Sequence, residues 1–176
     1  MSQWVALTVL GQDRAGIVAG VTKVLFEHGC NLEDSSATRL RDSFAMILIA
    51  ELPAEPRFDT LRSALQAAAE ELGVSVDLRD LGSRAPQPPP AGRLFDLAVY
   101  GADHPGIVYR VAQALAALDC NVTDVTTHIA GSVYLMMMEM TVPETVSDEV
   151  LEACMAALRA ELAVDITARA VEQETL

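Results

Sequence analysis

Lysine is almost missing from this chain. Eleven of its twelve basic residues are arginine, and they face twenty-five Asp and Glu, for a net charge of −13 over 176 residues. A chain so short of positive charge repels phosphate backbones and anionic lipids, which excludes direct nucleic-acid and membrane-surface binding as its expected work. The deficit is spread out, with seven basic groups against twelve acidic in residues 1–82 and five against thirteen in 83–176. Aromatics are also few: one Trp, three Tyr and four Phe.

Cysteine chemistry has little to build on. Cys30, Cys120 and Cys154 cannot all pair within one chain, no CxxC occurs, and no Cys/His group has zinc spacing. No metal or cofactor is expected, and buried structural thiols are. No apolar run approaches the roughly 20 residues of a membrane span. The stretch from Val5 to Leu10 is too short for a signal peptide, and Met1-Ser-Gln-Trp4 offers no basic n-region. These absences lead us to expect a soluble, cytoplasmic protein with reduced thiols. A Gly-rich phosphate loop, a nucleophile elbow and a Ser-His-Asp order are missing as well, so no enzyme is expected.

What is present is a repeat. Half the chain is apolar, enough for a core. The two halves match without a gap at an offset of 90: Gly11-Gln-Asp13-Arg-Ala-Gly16-Ile17-Val18 against Gly101-Ala-Asp103-His-Pro-Gly106-Ile107-Val108, then Cys30-Asn31 and Asp34 against Cys120-Asn121 and Asp124. Between them lies Gly82-Ser-Arg-Ala-Pro-Gln-Pro-Pro-Pro-Ala-Gly-Arg93, whose prolines suit neither helix nor central strand. The expected organisation is a first domain over 1–82, a Pro-rich linker over 83–92 and a second domain over 93–176.

Each copy reads as βαββαβ. Trp4 to Leu10 is an apolar run, expected to be a strand buried on both faces. Ile17, Val21, Val24, Leu25 and His28 have helical spacing up to a stop at Gly29. Strands follow over 31–40 and 43–52, separated by a turn at Arg41-Asp42. Phe58, Leu61, Leu65, Ala68 and Leu72 make a second helical stripe, and Val74, Val76 and Leu78 alternate as a last strand. Strands of the second copy fall near 94–100, 121–129, 132–142 and 164–171. The fold class is α+β: two tandem ferredoxin-like domains, each a four-stranded antiparallel sheet with two helices on one face. The helix-free faces are also rich in apolar residues and need a cover, from the sister domain or another chain, so a dimer is expected.

The chemistry on offer is binding. In Gly-x-Asp-[Arg/His]-[Ala/Pro]-Gly-Ile-Val, glycine lets the backbone turn tightly, and the helix that follows presents free N–H groups to a carboxylate. Pro105 fits the first helical turn. Asp13 and Asp103 can cap the helix or receive a ligand ammonium. Asn31 and Asn121 can accept a positive φ after the helix. Asp34 and Asp124 fall near the start of an edge strand, where they meet a ligand at a domain seam or blunt the edge with charge. The histidines do not repeat: His28 reads as a helix-end cation and His128 as a surface strand residue. The methionines at 136–140 read as core or interface.

These residues resemble the ACT domain: a first strand ending in Gly-x-Asp-Arg-x-Gly-Ile-Val, then Gly29-Cys-Asn at the end of the first helix. Two such domains about a Pro-rich linker are similar to the glycine cleavage system transcriptional repressor group, with Ala15 where the first repeat often has proline. The resemblance implies a non-enzymatic sensor of a small amino acid, glycine or serine first. Such a sensor represses glycine cleavage genes through a protein partner such as a transcriptional activator. It also implies side-by-side pairing through the second strands. The ligand set it implies is Gln12, Asp13, Arg14, Ala15, Gly16 and Ile17 with Asn31, Leu32, Glu33 and Asp34, and in the second copy Asp103, His104, Gly106, Ile107, Asn121 and Asp124. The other reading is a stand-alone regulatory subunit for an enzyme of amino-acid metabolism. Acyl phosphatase chemistry on this fold would need a phosphate cradle with an anchored Arg, yet Arg14 faces His104 across the repeat. RNA-recognition folds share the element order but need a basic, aromatic sheet.

Overall fold

A computed structural model describes residues 3–53, 58–83 and 91–171. The chain divides into two units, Met1–Gln87 and Pro88–Leu176. Residues 84–90, most of the segment read as a linker, lie outside the described residues.

The first unit runs β1 (Gln3–Gln12), α1 (Ile17–Glu27), β2 (Asn31–Leu40), β3 (Ser43–Leu52), α2 (Phe58–Leu72) and β4 (Val74–Gly82). Its sheet order is β2-β3-β1-β4, and every neighbouring pair is antiparallel. The second unit repeats this with β5 (Arg93–Ala102), α3 (Ile107–Ala117), β6 (Asn121–Ala130), β7 (Val133–Val142), α4 (Asp148–Leu162) and β8 (Asp165–Ala170), in the order β6-β7-β5-β8. The expected α+β fold, with its tandem ferredoxin-like sheets, is what forms.

Period-two alternation sets each core. Val5, Leu7 and Val9 of β1 point to the helices with Met46, Leu48, Ala50 and Leu52 of β3. Ile17, Val21 and Leu25, one helical face of α1, close over them with Leu61 and Leu65 of α2. Burying each such side chain stabilises by about 1.5–3 kcal/mol. In the second unit Met136, Met138 and Met140 enter the core while Met137 faces out, so alternate residues of the methionine run are core.

Three local expectations are corrected. Within the chain β1 is not buried on both faces: Thr8 and Leu10 are exposed on the helix-free side, as is Ile47 across the sheet. The apolar run marks two faces, and the helices cover one. The positive φ after the first helix falls on Gly29 (+68°) and Asp119 (+55°), not on Asn31 and Asn121, which begin β2 and β6. Pro105 stands one residue ahead of the N-cap of α3, Gly106, rather than inside the helix.

Both sheets leave their second strand at an edge, as the element order predicts. All ten residues of β2 are exposed. A bulge near Glu33, and its counterpart near Thr123, bends each edge at its start.

Candidate functional site

The turn between β1 and α1 is shaped by one residue. Gly16 is the N-cap of α1 with φ +97° and ψ −11°, and Gly106 of α3 matches it at +100° and −7°. A side chain there would meet no atom within 4 Å, so the space above each turn is open. Glycine is required by the backbone, not by crowding. A β-branched residue such as valine would be strained at this φ.

No side chain caps either helix. The first helical bond runs from Gly20 N–H to Gly16 C=O at 2.8 Å, with Arg110 to Gly106 at 2.9 Å in the second copy. The amides ahead of it, on Ile17, Val18 and Ala19, are the free donors of α1, and they carry the partial positive charge of the helix end. Asp13 takes neither capping duty. Its N–H donates to the Asp42 carbonyl at 2.7 Å, and its carboxylate lies 3.7 Å from the Arg39 guanidinium. Arg39 and Asp42 were missed in the sequence. The signal was the β2-β3 hairpin at 40–43, which antiparallel pairing places beside the end of β1 through Gln12 and Ser43.

Arg14 turns away from the opening. Its Nη2 donates to the carbonyl of Glu71 at 2.8 Å, in the last turn of α2. His104, which stands at the position of Arg14 in the second copy, behaves alike: its Nε2 lies 2.9 Å from the Leu162 carbonyl at the end of α4. Gln12 and Ala15 are exposed in the turn, while Ile17 and Ile107 are buried and anchor the helix to the core.

The second half of the candidate set lies elsewhere. Asn31 pairs with Glu51, which pairs on its other side with Trp4, at the opposite end of the sheet from Gln12, Ser43 and Leu40. The eight residue steps from Trp4 to Gln12 span about 27 Å at roughly 3.4 Å per step. Within one unit the structure thus brings Gln12 to Ile17 together and does not bring Asn31 to Asp34 to them. At that far end Asn31 Nδ2 donates to Glu33 Oε1 at 2.7 Å, and Asp34 Oδ1 accepts from the Ser35 amide at 2.8 Å. Asn31 and Leu32 also line an open hollow of about 540 Å³ with Phe26 and Cys30. In the second copy Thr126 lies 3.4 Å from Asp124 Oδ2, and Asn121 again starts the edge strand.

Burial pushes the thiols of Cys30, Cys120 and Cys154 up, and Cys154 and Asp119 add to the rise at Cys120. His28 Nδ1 faces the Val24 carbonyl at 2.8 Å, inside its own helix end. Among the described residues no three His, Cys, Asp or Glu side chains gather as a metal would need, and no helix is long and apolar enough to cross a membrane.

Comparison with known proteins agrees with this fold. The family model of the ACT domain matches residues 3–79 and again 97–169. A UPF0237 protein of Methanopyrus kandleri is 54% identical over 71 residues, which are 40% of this chain and 79% of that protein. A UPF0237 protein of Clostridium acetobutylicum is 36% identical over 77 residues, 43% of this chain and 86% of that protein. An unknown protein from Galdieria sulphuraria shares the fold over 98% of this chain and 100% of its own, with TM-score 0.83 and 29% identity. A crystal structure provisionally described as a glycine cleavage system transcriptional repressor superposes over 98% of this chain and 99% of its own, with TM-score 0.76. Its identity is 16%, so it shows the fold alone.

Proposed function

The chain belongs to the ACT-domain family, and from that premise we propose that it is a non-enzymatic regulator that responds to a small amino acid. The observation that carries this reading is the doubled turn. Each copy holds a left-handed glycine with open space above it, an uncapped helix N-terminus, and an Asp in the same turn. The free amides of Ile17 to Ala19 suit a carboxylate, and Asp13 suits an ammonium. Asp34, Glu33 and Asn31, at the far end of the sheet, reach such a ligand only from a second domain of the same kind, so the reading includes a homodimer.

Glycine is the first candidate, because the structural neighbour is provisionally described as a glycine cleavage repressor, and serine the second. The output we propose is repression of glycine cleavage genes, by way of a protein partner in the cytoplasm. The charge of −13 supports an indirect route, because a chain this acidic needs a basic partner to reach DNA. The provisional description of the structural neighbour as a glycine cleavage repressor points the same way.

Calorimetry of the full chain with each of the twenty amino acids is the test. Micromolar to millimolar affinity is expected, about 4–8 kcal/mol, and Asp13→Asn should weaken it while leaving the fold alone. No heat from any amino acid would sink the reading. Sedimentation that shows a monomer at all micromolar concentrations would remove the dimer from it.

A further inference from the structure

Positions 14 and 104 do one mechanical job with two different side chains. Arg14 Nη2 donates to the Glu71 carbonyl at 2.8 Å. His104 Nε2 approaches the Leu162 carbonyl at 2.9 Å, and since a carbonyl only accepts, that nitrogen carries the proton. The repeat offset of 90 that maps 14 onto 104 also maps Leu72, the end of α2, onto Leu162, the end of α4. The chain then leaves both helices in the left-handed region, at Gly73 (φ +61°) and Ala163 (φ +50°). Carbonyls in a last helical turn lack intrahelical donors and carry partial negative charge, so a donor from outside is favoured there. The offset maps Glu71 onto Glu161, one residue before Leu162, so the two acceptors share a helix turn rather than a position. A side chain that merely wandered in solvent would have no reason to reach that turn in both copies. Here a long guanidinium and a short imidazole both find it.

We propose that the residue at 14 and 104 is a tether that couples the amino-acid turn to the C-terminal end of the second helix. Holding the turn and ordering that helix end are then one event. This rests on the reading that the turn holds an amino acid, and it deepens that reading by naming how occupancy leaves the site. Arg14 sits two residues before Gly16, and the other contacts that fix the turn are the Asp13 amide on Asp42 and the loose Asp13–Arg39 pair. With the tether cut, the turn spends less time in the shape that binds, and apparent affinity falls by that fraction. With it intact, a ligand that fixes the turn also fixes the carbonyls at 71 and 162. Position 14 is therefore a positioning residue that makes no contact with the ligand.

The experiment is residue-resolved amide exchange and calorimetry on the full chain, as wild type, Arg14→Ala and Arg14→His, with His104→Ala for the second copy. Without ligand, Arg14→Ala should speed exchange at the Asp13 and Gly20 amides, which are bonded in the turn, and at 71–73, while β1 and β3 keep their protection. Arg14→His, which installs the side chain of the other copy, should restore both. With glycine present, the wild type should gain protection at 71–73, and Arg14→Ala should gain it only at the turn and bind about three- to tenfold more weakly, the scale of one modest hydrogen bond. His104→Ala should do the same at the Asp103 and Arg110 amides and at 161–163. Unchanged exchange at 71–73 in Arg14→Ala overturns the tether. So does glycine binding to Arg14→Ala with wild-type affinity and wild-type protection, a result that leaves the sensor reading standing. No binding of any amino acid to the wild type overturns the sensor reading and the coupling with it, even if the apo exchange changes as described.

Discussion

Replacing Gly16 separates backbone strain from crowding. At φ +97° a Cβ meets nothing within 4 Å, so the whole cost of Gly16→Ala is conformational. Forcing an L side chain into the left-handed region costs about 1–2 kcal/mol. The alanine also restricts the unfolded chain, which returns about 0.4–1 kcal/mol. A net loss near 1 kcal/mol follows, and in a domain of this size that lowers the melting temperature by about 4–8 °C. Gly11 is the contrast. It lies within β1, and a Cβ there would stand 2.6 Å from Val74 Cγ1 and 3.1 Å from Val74 Cα, so Gly11→Ala costs about 1–3 kcal/mol through overpacking. The two mechanisms rank substitutions in opposite order. Asn tolerates positive φ, so Gly16→Asn should lose less than Gly16→Ala, whereas Gly11→Asn should lose more than Gly11→Ala. Trp4, the only tryptophan, sits on β1, and its fluorescence in a urea titration reports the first unit of the intact chain. Equal stability of Gly16→Ala and wild type, or Asn worse than Ala at position 16, would refute the strain argument.

Two further outcomes follow from ionisation. The carboxyls of Asp80, Glu149 and Glu152 are held low, Asp80 by the Gln3 side chain and the Gly82 amide, Glu149 by Ser147 and its own amide, and Glu152 by Arg159. Depressed folded values mean that their contribution is full above the ordinary carboxylate range near pH 4 and fades as pH falls through it. Melting temperature should drop on acidification below about that pH, and Glu152→Gln should flatten part of the slope. An unchanged slope in Glu152→Gln counts against its pairing with Arg159. The raised thiols of Cys30, Cys120 and Cys154 predict slower reaction with a disulfide reagent at neutral pH in the native chain than in urea. Three thiols reacting natively at the unfolded rate would contradict their burial.

Most of the fold was legible because punctuation and period agreed. Ser43–Leu52 and Phe58–Leu72 form over the spans that the apolar patterns mark, and the 90-residue offset carried each element into the second copy. What was not legible depended on which chain segment folds back on which. Nothing near Arg14 in sequence announces Glu71, 57 residues away, so its guanidinium read as a ligand contact or as half of a missing phosphate cradle. Arg14 and His104 differ in residue type, and what they share is a last helical turn that only tertiary structure brings to them. Asp13 read as a cap because capping is local, yet Gly16 takes that position and the carboxylate turns to Arg39.

The same topology constrains the candidate site more tightly than any side chain does. β1 and β2 both run antiparallel to β3, so their starting residues share one end of the sheet and the turn after β1 sits at the other. Asp34 lies level with Ala6 through Ile49, so an amino acid a few ångströms long cannot touch Asp13 and Asp34 of one domain across about 24 Å. If both belong to one site, two domains must meet with their sheets running in opposite directions, each lending its turn to one ligand and its β2 start to another. A two-fold axis between like domains produces that arrangement and makes such sites in pairs. The edge strand suits the task, since the whole of β2 is exposed and its ladder is unpaired on one side. In that arrangement the carboxylates of Glu33 and Asp34 would have two duties at one place: alone, they discourage indiscriminate strand pairing at that edge, and across a seam they would face the ammonium of a ligand whose carboxylate the opposite turn would hold.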